Sequence, residues 1–282
     1  MTVSSPLHTN TLVQKAPLWA ANIRENFNEI LARKDISSLP RIHGPALCVG
    51  AGPSLDLHLD QIRDFKGEVF ACERGLVPLL KHGRIPNYVV SIDGDPIMVK
   101  FMEDPIVGAN WRFMTGIFAV DSAPAVVNRW KGHRVFFSPW MGDEKVPGNL
   151  TTFVHHLTGK PILQTGGNCG SCLWFLAKEL GASPIVLLGI DFAYANIDYL
   201  DKTQIWERVK ELPQDKILEF YCRVKNSFGN EVITDLMFDD FKNIMLTWLD
   251  GGPETIQCSD YTILESPHLK MMKFKDYLTS QV

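Results

Sequence analysis

Two aspartates stand two residues apart at the end of a short apolar segment. Asp93 and Asp95 follow Tyr88–Ile92, which is apolar enough to form a buried strand. Carboxylates at this spacing can ligate Mg²⁺ together with a substrate phosphate, or one of them can act as a general base. The alternative is an Asp-Gly turn with solvated side chains. We favour the first interpretation and expect Asp93 and Asp95 to be catalytic, with Mg²⁺ as the candidate cofactor.

Two glycine-containing loops could bind an anion. One is Gly50–Ser54, which follows an apolar segment, and the other is Thr165–Ser171, which precedes a clear helix. Glycines allow a phosphate to approach the backbone, and free N–H groups at a helix start attract negative charge. The first loop is neither G-x-G-x-x-G nor a P-loop, so a plain strand-to-helix turn explains it equally well. The second loop has three glycines, and we favour an anion site there.

The remaining polar candidates carry less information. Asp191 follows an apolar segment, where it could bind a sugar or base hydroxyl or cap a turn. Cys169 and Cys172 form a C-x-x-C without the second pair that a zinc site needs, so we expect the six cysteines to be mostly buried free thiols. His155 and His156 are adjacent, which makes joint metal binding by a helix unfavourable.

These residues need a scaffold that brings strand ends together. Short segments without polar alternation, such as Ala46–Gly50 and Ile185–Gly189, alternate with amphipathic segments. Such alternation is typical of a parallel sheet covered by helices on both faces. We therefore predict a doubly wound, Rossmann-like α/β fold, whose ligands bind at the carboxyl ends of the strands. The predicted helices include Trp19–Arg33, Ser54–Arg63, Ser171–Leu180 and Phe238–Leu249.

Three regions follow from this pattern. Residues 1–45 form an N-terminal helical segment, 46–195 form the Rossmann-like domain, and 196–282 form a lid and an α-rich C-terminal extension that packs on the same domain. The stretch Asn196–Asp215 is polar and charged, and we interpret it as the lid.

Composition limits the classes of function. The chain has 282 residues, a formal net charge of −4 and 45% hydrophobic residues, which excludes a disordered chain. An acidic balance without a basic run argues against a nucleic-acid partner. We see no secretory signal and no apolar segment near the roughly 20 residues that span a bilayer. We expect a cytoplasmic protein that binds a small-molecule nucleotide, and a homo-oligomer is left open.

An ordered set of motifs resembles a known family. The set comprises Gly50-Ala-Gly-Pro-Ser-Leu55, Gly83–Asp93, Thr165-Gly-Gly-Asn168 and Leu188-Gly-Ile-Asp-Phe192. It is similar to the domain shared by Maf (motility accessory factor) flagellin glycosyltransferases and MptE-type hydroxymethylpterin pyrophosphokinases, and it also resembles bacterial sialyltransferases of the Campylobacter type. A weaker similarity to Maf proteins extends to Phe228–Thr234.

The resemblance implies nucleotide use. It places Glu73 where the sialyltransferases have a nucleotide-contacting Asn, and Gly229–Asn230 where they have a His base. It implies a glycosyltransferase that uses a nucleotide-activated sugar of the CMP-nonulosonate type, with a glycan, protein or pterin acceptor. The alternatives are a pyrophosphokinase using ATP and Mg²⁺, and a non-catalytic nucleotide-binding module. The expected nucleotide-binding residues are Gly50, Gly52, Pro53, Ser54, Glu73, Thr165, Gly166, Gly167, Asn168, Gly170, Ser171 and Asp191.

Overall fold

A parallel β-sheet forms the centre of the molecule. The computed structural model describes residues 6–140, 150–202, 206 and 210–281. Within these ranges ten strands form one sheet and two more form a separate antiparallel hairpin. The sheet strands are β1 Lys34–Asp35, β2 Ala46–Val49, β3 Glu68–Cys72, β4 Tyr88–Ser91, β5 Thr115–Ala119, β6 His133–Trp140, β7 Ile162–Gln164, β8 Ile185–Leu188, β11 Thr255–Gln257 and β12 Leu269–Met271; the hairpin is β9 Tyr221–Lys225 and β10 Glu231–Asp235.

The strand order places a switch point at the centre of the sheet. The order is β1-β6-β5-β4-β3-β2-β8-β11-β12, and β7 pairs with the carboxyl end of β6. All paired strands of this sheet run parallel, so their carboxyl ends meet at one edge. From β2 the chain builds the sheet in one direction through β6, and β8, β11 and β12 extend it in the other. The crevice between β2 and β8 is therefore where such a fold binds ligands.

Helices cover both faces of the sheet, as predicted. The described helices are α1 Pro6–Ala32, α2 Glu73–Lys81, α3 Pro105–Asn110, α4 Pro124–Arg129, α5 Leu150–Thr158, α6 Cys169–Glu179, α7 Gln214–Leu218, α8 Leu236–Leu249 and α9 Phe274–Ser280. Successive residues of β2 point to opposite sides, so that Cys48 joins one hydrophobic cluster with α6 and α8, and Leu47 joins another with α9. A third cluster packs α1, α2, α4 and α5 against the β4–β6 half of the sheet. The doubly wound α/β fold is confirmed.

The helix predicted over Ser54–Arg63 is wrong. The chain forms two short 3₁₀ helices there, Pro53–Leu57 and Ile62–Asp64. Tertiary contacts override the local pattern: the N–H and hydroxyl of Ser54 bind a carboxylate from the loop after β8, and the ring of His58 binds the carboxylate of Asp260, 2.5 Å away. These anchors hold the segment in a tighter path than an α-helix.

The C-terminal region adds more than helices. Strands β11 and β12 extend the main sheet beyond β8, and the hairpin β9–β10 pairs with the loop after β8 through Tyr194 and Ile233. The sequence did not predict these strands. Of the expected lid, residues 203–205 and 207–209 lie outside the described residues; the rest contains a 3₁₀ helix at Ile197–Lys202 and α7.

A membrane span was not expected. Among the helices that the structure describes, none combines the length and the apolar character required to cross a bilayer.

Candidate functional site

The loops after β2 and β8 meet at the switch point. The N–H of Gly50 donates to the carbonyl of Leu188 at 2.9 Å, and the N–H of Gly52 donates to the carbonyl of Gly189 at 2.8 Å. A Cβ atom on Gly50 would lie 2.2 Å from the Gly189 oxygen. Glycine is therefore required at position 50 by the approach of two loops of this chain, irrespective of any ligand.

Asp191 is directed back into this crevice by an unusual backbone path. Gly189 and Phe192 both have positive φ angles, 67° and 52°, and such an angle is strained for a bulky residue. The Asp191 carboxylate accepts hydrogen bonds from the Ser54 N–H at 3.1 Å and from the Ser54 hydroxyl. A Cβ on Gly52 would lie 2.1 Å from Oδ2 of Asp191.

The contact between Ser54 and Asp191 uses polar groups that the sequence analysis assigned to a nucleotide. Burial raises the pKa of Asp191 to about 7, against the opposing effect of the Ser54 hydrogen bonds. The hydroxyl of Ser54 in turn accepts from the N–H of Tyr261 at 2.9 Å. The sequence assigned Gly52, Pro53, Ser54 and Asp191 to the nucleotide. The structure brings them together, but the Ser54 amide is already occupied by Asp191.

The loop before α6 is more open. Gly166 and Gly167 have φ angles of 64° and 81°, which favour glycine. Asn168 caps the helix: its Oδ1 accepts from the N–H of Ser171 at 2.9 Å and its Nδ2 donates to the Ser171 hydroxyl at 2.8 Å. Thr165 and Gly166 are buried, whereas Gly167 is exposed. The loop is thus held by its own hydrogen bonds and presents its tip to solvent.

The first two amides of α6 are the candidate anion donors. The N–H groups of Cys169 and Gly170 find no acceptor among the residues described, and both residues are partly accessible. The thiol of Cys169 lies 3.4 Å from the carbonyl of Val90 in β4, and Gly170 packs near the side chain of Ile190 after β8. The positive end of α6 therefore lies over the strand ends between β4 and β8.

Three carboxylates lie at the ends of neighbouring strands. Glu73 begins α2 directly after β3, Asp93 follows β4 and Asp121 follows β5. Glu73 and Asp121 are 2% and 3% exposed, and in the described part of the chain Oε1 of Glu73 and Oδ1 of Asp121 have no hydrogen-bond partner. Burial, with a smaller contribution from the charge of Asp93, raises the pKa of each to about 7. Asp93 itself is exposed.

Asp95 is placed differently from Asp93. Its Oδ1 accepts from the N–H of Ile97 at 3.0 Å and so caps the 3₁₀ helix Pro96–Met102, while its own N–H donates to Oδ1 of Asp93 at 3.0 Å. The predicted pair is therefore in contact, but the carboxylate of Asp95 has a local structural partner. Sequence reasoning missed Asp121, which follows β5 as Asp93 follows β4.

Among the described residues, these strand-end carboxylates do not form a metal centre without further ligands. The described residues contain no group of three or more His, Cys, Asp or Glu side chains arranged to hold a metal ion by themselves. Mg²⁺ is usually held by one or two carboxylates together with water and substrate phosphates. The unpartnered oxygens of Glu73 and Asp121, next to the exposed Asp93, fit that mode of binding.

Within the described ranges, the cysteines take part in no metal-binding cluster. All six are free, five are buried or half-buried, and Cys222 is exposed. Cys172 lies in the core beneath α6, and burial raises its thiol pKa beyond the usual range. The C-x-x-C pattern therefore reflects a helix start packed on the sheet.

An apolar cavity is lined by a different set of residues. A space of about 310 Å³ opens between α1 and α5, lined by side chains that include Trp19, Phe27, Phe153 and Leu157. None of the residues predicted to bind a nucleotide lines it, and its apolar walls do not suit phosphates.

The comparisons with known proteins agree with this architecture. A family model described as 6-hydroxymethylpterin diphosphokinase MptE-like matches residues 21–197, more than half of the chain. The solved structure of a Maf glycosyltransferase from Magnetospirillum magneticum AMB-1 is similar, with 17% identity and a TM-score of 0.58. That match covers 86% of this chain but 37% of the other, so the chain spans little more than a third of that glycosyltransferase, and at this identity the similarity shows the fold alone.

No curated protein matches the sequence. The family match nevertheless confirms the resemblance drawn from the motifs, and the family carries the name of a transferase. The chain belongs to the MptE-like family.

Proposed function

We propose that this member of the MptE-like family is a nucleotide-dependent transferase that works at the carboxyl edge of its sheet. One observation carries the proposal: the amides of Cys169 and Gly170, which find no acceptor within the described part of the chain, face the same sheet edge as the carboxylates of Glu73, Asp93 and Asp121. Amide donors and a helix dipole stabilise the negative charge of a phosphate, and the carboxylates can hold a cation or accept a proton.

The first candidate reaction is glycosyl transfer from a nucleotide-activated sugar of the CMP-nonulosonate type. An acceptor hydroxyl oxygen attacks the anomeric carbon, and the bond between that carbon and the phosphate oxygen breaks. The nucleotide leaves with the electron pair, and the amides of Cys169 and Gly170 stabilise its charge. The exposed carboxylate of Asp93 accepts the acceptor's proton. The shared fold with the Maf glycosyltransferase over most of the chain supports this choice.

The proposed reaction includes a cation bound by the strand-end carboxylates. Asp93 and a buried neighbour, Asp121 or Glu73, would hold Mg²⁺ together with the donor's phosphates, and Asp95 keeps its role as a helix cap. Bound there, Mg²⁺ would neutralise charge on the phosphates of the donor. The protein's own part is to position the donor between these carboxylates and the amides of α6.

The second candidate is transfer of diphosphate from ATP to a pterin alcohol. The buried oxygens of Glu73 and Asp121, which have no partner among the described residues, favour it, since phosphoryl transfer from ATP depends on carboxylate-held Mg²⁺ to neutralise the phosphates. The alcohol oxygen attacks the β-phosphorus, Asp93 accepts the alcohol's proton, the bond to the oxygen that bridges to the α-phosphorus breaks, and AMP leaves with the electron pair. The family description supports this reaction as well.

One panel of assays separates the candidates. The protein is incubated with CMP- and UDP-sugars, and with ATP plus a hydroxymethylpterin, each with Mg²⁺ or with a chelator. Release of CMP or UDP indicates glycosyl transfer, whereas AMP released only with the pterin indicates diphosphate transfer. Asp93→Asn should reduce turnover, while Asp64→Asn, at an exposed aspartate away from the strand ends, serves as the matched control.

Binding measured by thermal shift completes the test. Nucleotide binding without turnover of any donor would identify a non-catalytic binding module, the third alternative. The sequence Gly229–Asn230, which stands where the sialyltransferases have a His base, favours this alternative. No response to any nucleotide would contradict the proposal as a whole.

A further inference from the structure

Two buried asparagines of α1 reach the loops that carry the carboxylates. Nδ2 of Asn22 donates to the carbonyl of Gly94 and to the carbonyl of Asp121, both at 2.9 Å. Nδ2 of Asn26 donates to the carbonyl of Ser122 at 2.8 Å. Both side chains are almost fully buried, 6% and 2% exposed. The N-terminal helix is thereby bonded to the loops after β4 and β5.

Helix α1 packs closely against the loop after β4. A Cβ on Gly94 would lie 2.9 Å from Cδ1 of Trp19 and 3.0 Å from Nδ2 of Asn22. The two loops are also bonded to each other, because the N–H of Ala123 donates to the carbonyl of Asp93 at 3.0 Å. Helix α1 and both loops therefore form one tightly packed unit around the acidic residues.

The amide is chemically specific at this place. Both N–H groups of the Asn22 amide are used on carbonyls from two different loops, which an alanine or a leucine would leave unsatisfied. An aspartate would place another negative charge beside carbonyl oxygens and near Asp93 and Asp121. The two carboxylates repel each other, so the loops need an external contact to keep them close.

We propose that Asn22 and Asn26 are positioning residues: they hold the loops of Asp93 and Asp121 in the arrangement in which these carboxylates take up the proposed divalent cation. The inference rests on the proposed function for the identity of that cation, but not for the geometry of the loops. It makes α1 part of the site, although α1 contributes no atom to the reaction. Contacts that orient metal ligands typically change metal affinity by about 10- to 100-fold when removed.

The test uses Mn²⁺ as the probe for the cation. Free Mn²⁺ is measured by electron paramagnetic resonance during titration of the full chain and of Asn22→Ala, Asn26→Ala and Asn28→Ala. Asn28 is exposed on the same helix, so its variant has the same change in helix propensity without a loop contact. We expect about tenfold weaker Mn²⁺ binding for Asn22→Ala and unchanged binding for Asn28→Ala. Asn26→Ala, which loses one bond instead of two, replaces Asn22→Ala if that variant fails to fold.

Amide hydrogen exchange gives an independent readout. We expect the N–H groups of Asp95 and Ala123, which bond to Asp93, to lose protection in Asn22→Ala while the core strands keep theirs. Unchanged Mn²⁺ affinity in a folded Asn22→Ala variant would overturn the inference. If the wild-type protein binds no Mn²⁺, the proposed cation fails, and exchange at Asp95 and Ala123 alone then supports or overturns the positioning role.

Discussion

Replacing Asp191 by asparagine should make the protein more stable at alkaline pH. Burial raises the pKa of Asp191 from 3.8 to about 7 in the folded protein. Between these values the folded state keeps the proton and the unfolded chain has lost it. The unfolded state then binds fewer protons, so the free energy of unfolding falls as pH rises, by about 1.4 kcal/mol per pH unit. Over the whole interval the loss amounts to about 4 kcal/mol.

The local geometry accommodates the substitution. In Asp191→Asn the new side-chain carbonyl can accept from the N–H of Ser54, and the new amide can donate to the Ser54 hydroxyl, whose second lone pair already accepts from Tyr261. Because asparagine does not titrate, this part of the pH dependence disappears. We expect the variant to match the wild type only below about pH 4, to exceed it by about 1 to 2 kcal/mol at pH 5, and to exceed it by about 4 kcal/mol at most at pH 8.

Urea unfolding monitored by tryptophan fluorescence at pH 5, 6, 7 and 8 measures the effect. The difference between Asp191→Asn and wild type isolates this carboxyl, since the other buried carboxyls titrate in both proteins. Asp64→Asn, at an exposed position, should follow the wild-type curve. Parallel curves for wild type and Asp191→Asn across this range would refute the reasoning, because they would mean that the buried carboxylate ionises as it does in the unfolded chain.

Three other substitutions test the site. Gly50→Ala should destabilise the fold by several kcal/mol in urea unfolding, because its Cβ would meet a backbone oxygen 2.2 Å away. Gly83→Ala lies in open space and has only the backbone cost of its φ of 77°, so it should lose about 1 kcal/mol; equal losses would contradict the crevice geometry. Gly167→Ala should abolish nucleotide binding measured by calorimetry, since φ is 81° and an aromatic ring would lie 2.7 Å from the new Cβ; wild-type affinity would exclude this loop from the site. Glu73→Gln should raise stability at pH 8, because the buried carboxyl has a pKa of about 7 and costs free energy once ionised, while lowering Mn²⁺ affinity; unchanged affinity would remove Glu73 from the cation site.

The central strands of the sheet could be predicted from the sequence. Strands β2, β3, β4 and β8 are continuous apolar segments, because a parallel strand covered on both faces has no solvent side to be polar. Helix α6 was predicted from Leu173, Leu176 and Leu180, and it lies where expected. The fold class follows from these elements alone.

Strand order and the extension could not be read in the same way. The chain passes from β7 at one side of the sheet through α6 to β8 beyond β2, and no local residue pattern encodes that crossing. Strands β11 and β12 are three residues each, too short for a periodic signal. Their positions depend on long-range packing.

The candidate site, like the fold, could be predicted from the sequence only in part. Sequence placed Gly50, Asp93 and Asp191 at strand ends correctly, because a polar residue after an apolar segment marks such an end. It did not reveal that Asp191 binds Ser54, a contact between residues 137 positions apart. Nor did it reveal the role of Asn22, since a buried asparagine on an amphipathic helix looks like an ordinary polar residue until its partners are known.

The central claim is that a nucleotide binds at the amino end of α6 beside the strand-end carboxylates. Its most direct test is an NMR titration of the isotopically labelled protein with CMP and with ATP, following the backbone amides. We predict that the largest chemical-shift changes occur at Gly167, Asn168, Cys169 and Gly170, and that they saturate with a single dissociation constant. Saturable changes confined to other surfaces, or no changes with either nucleotide, would contradict the claim.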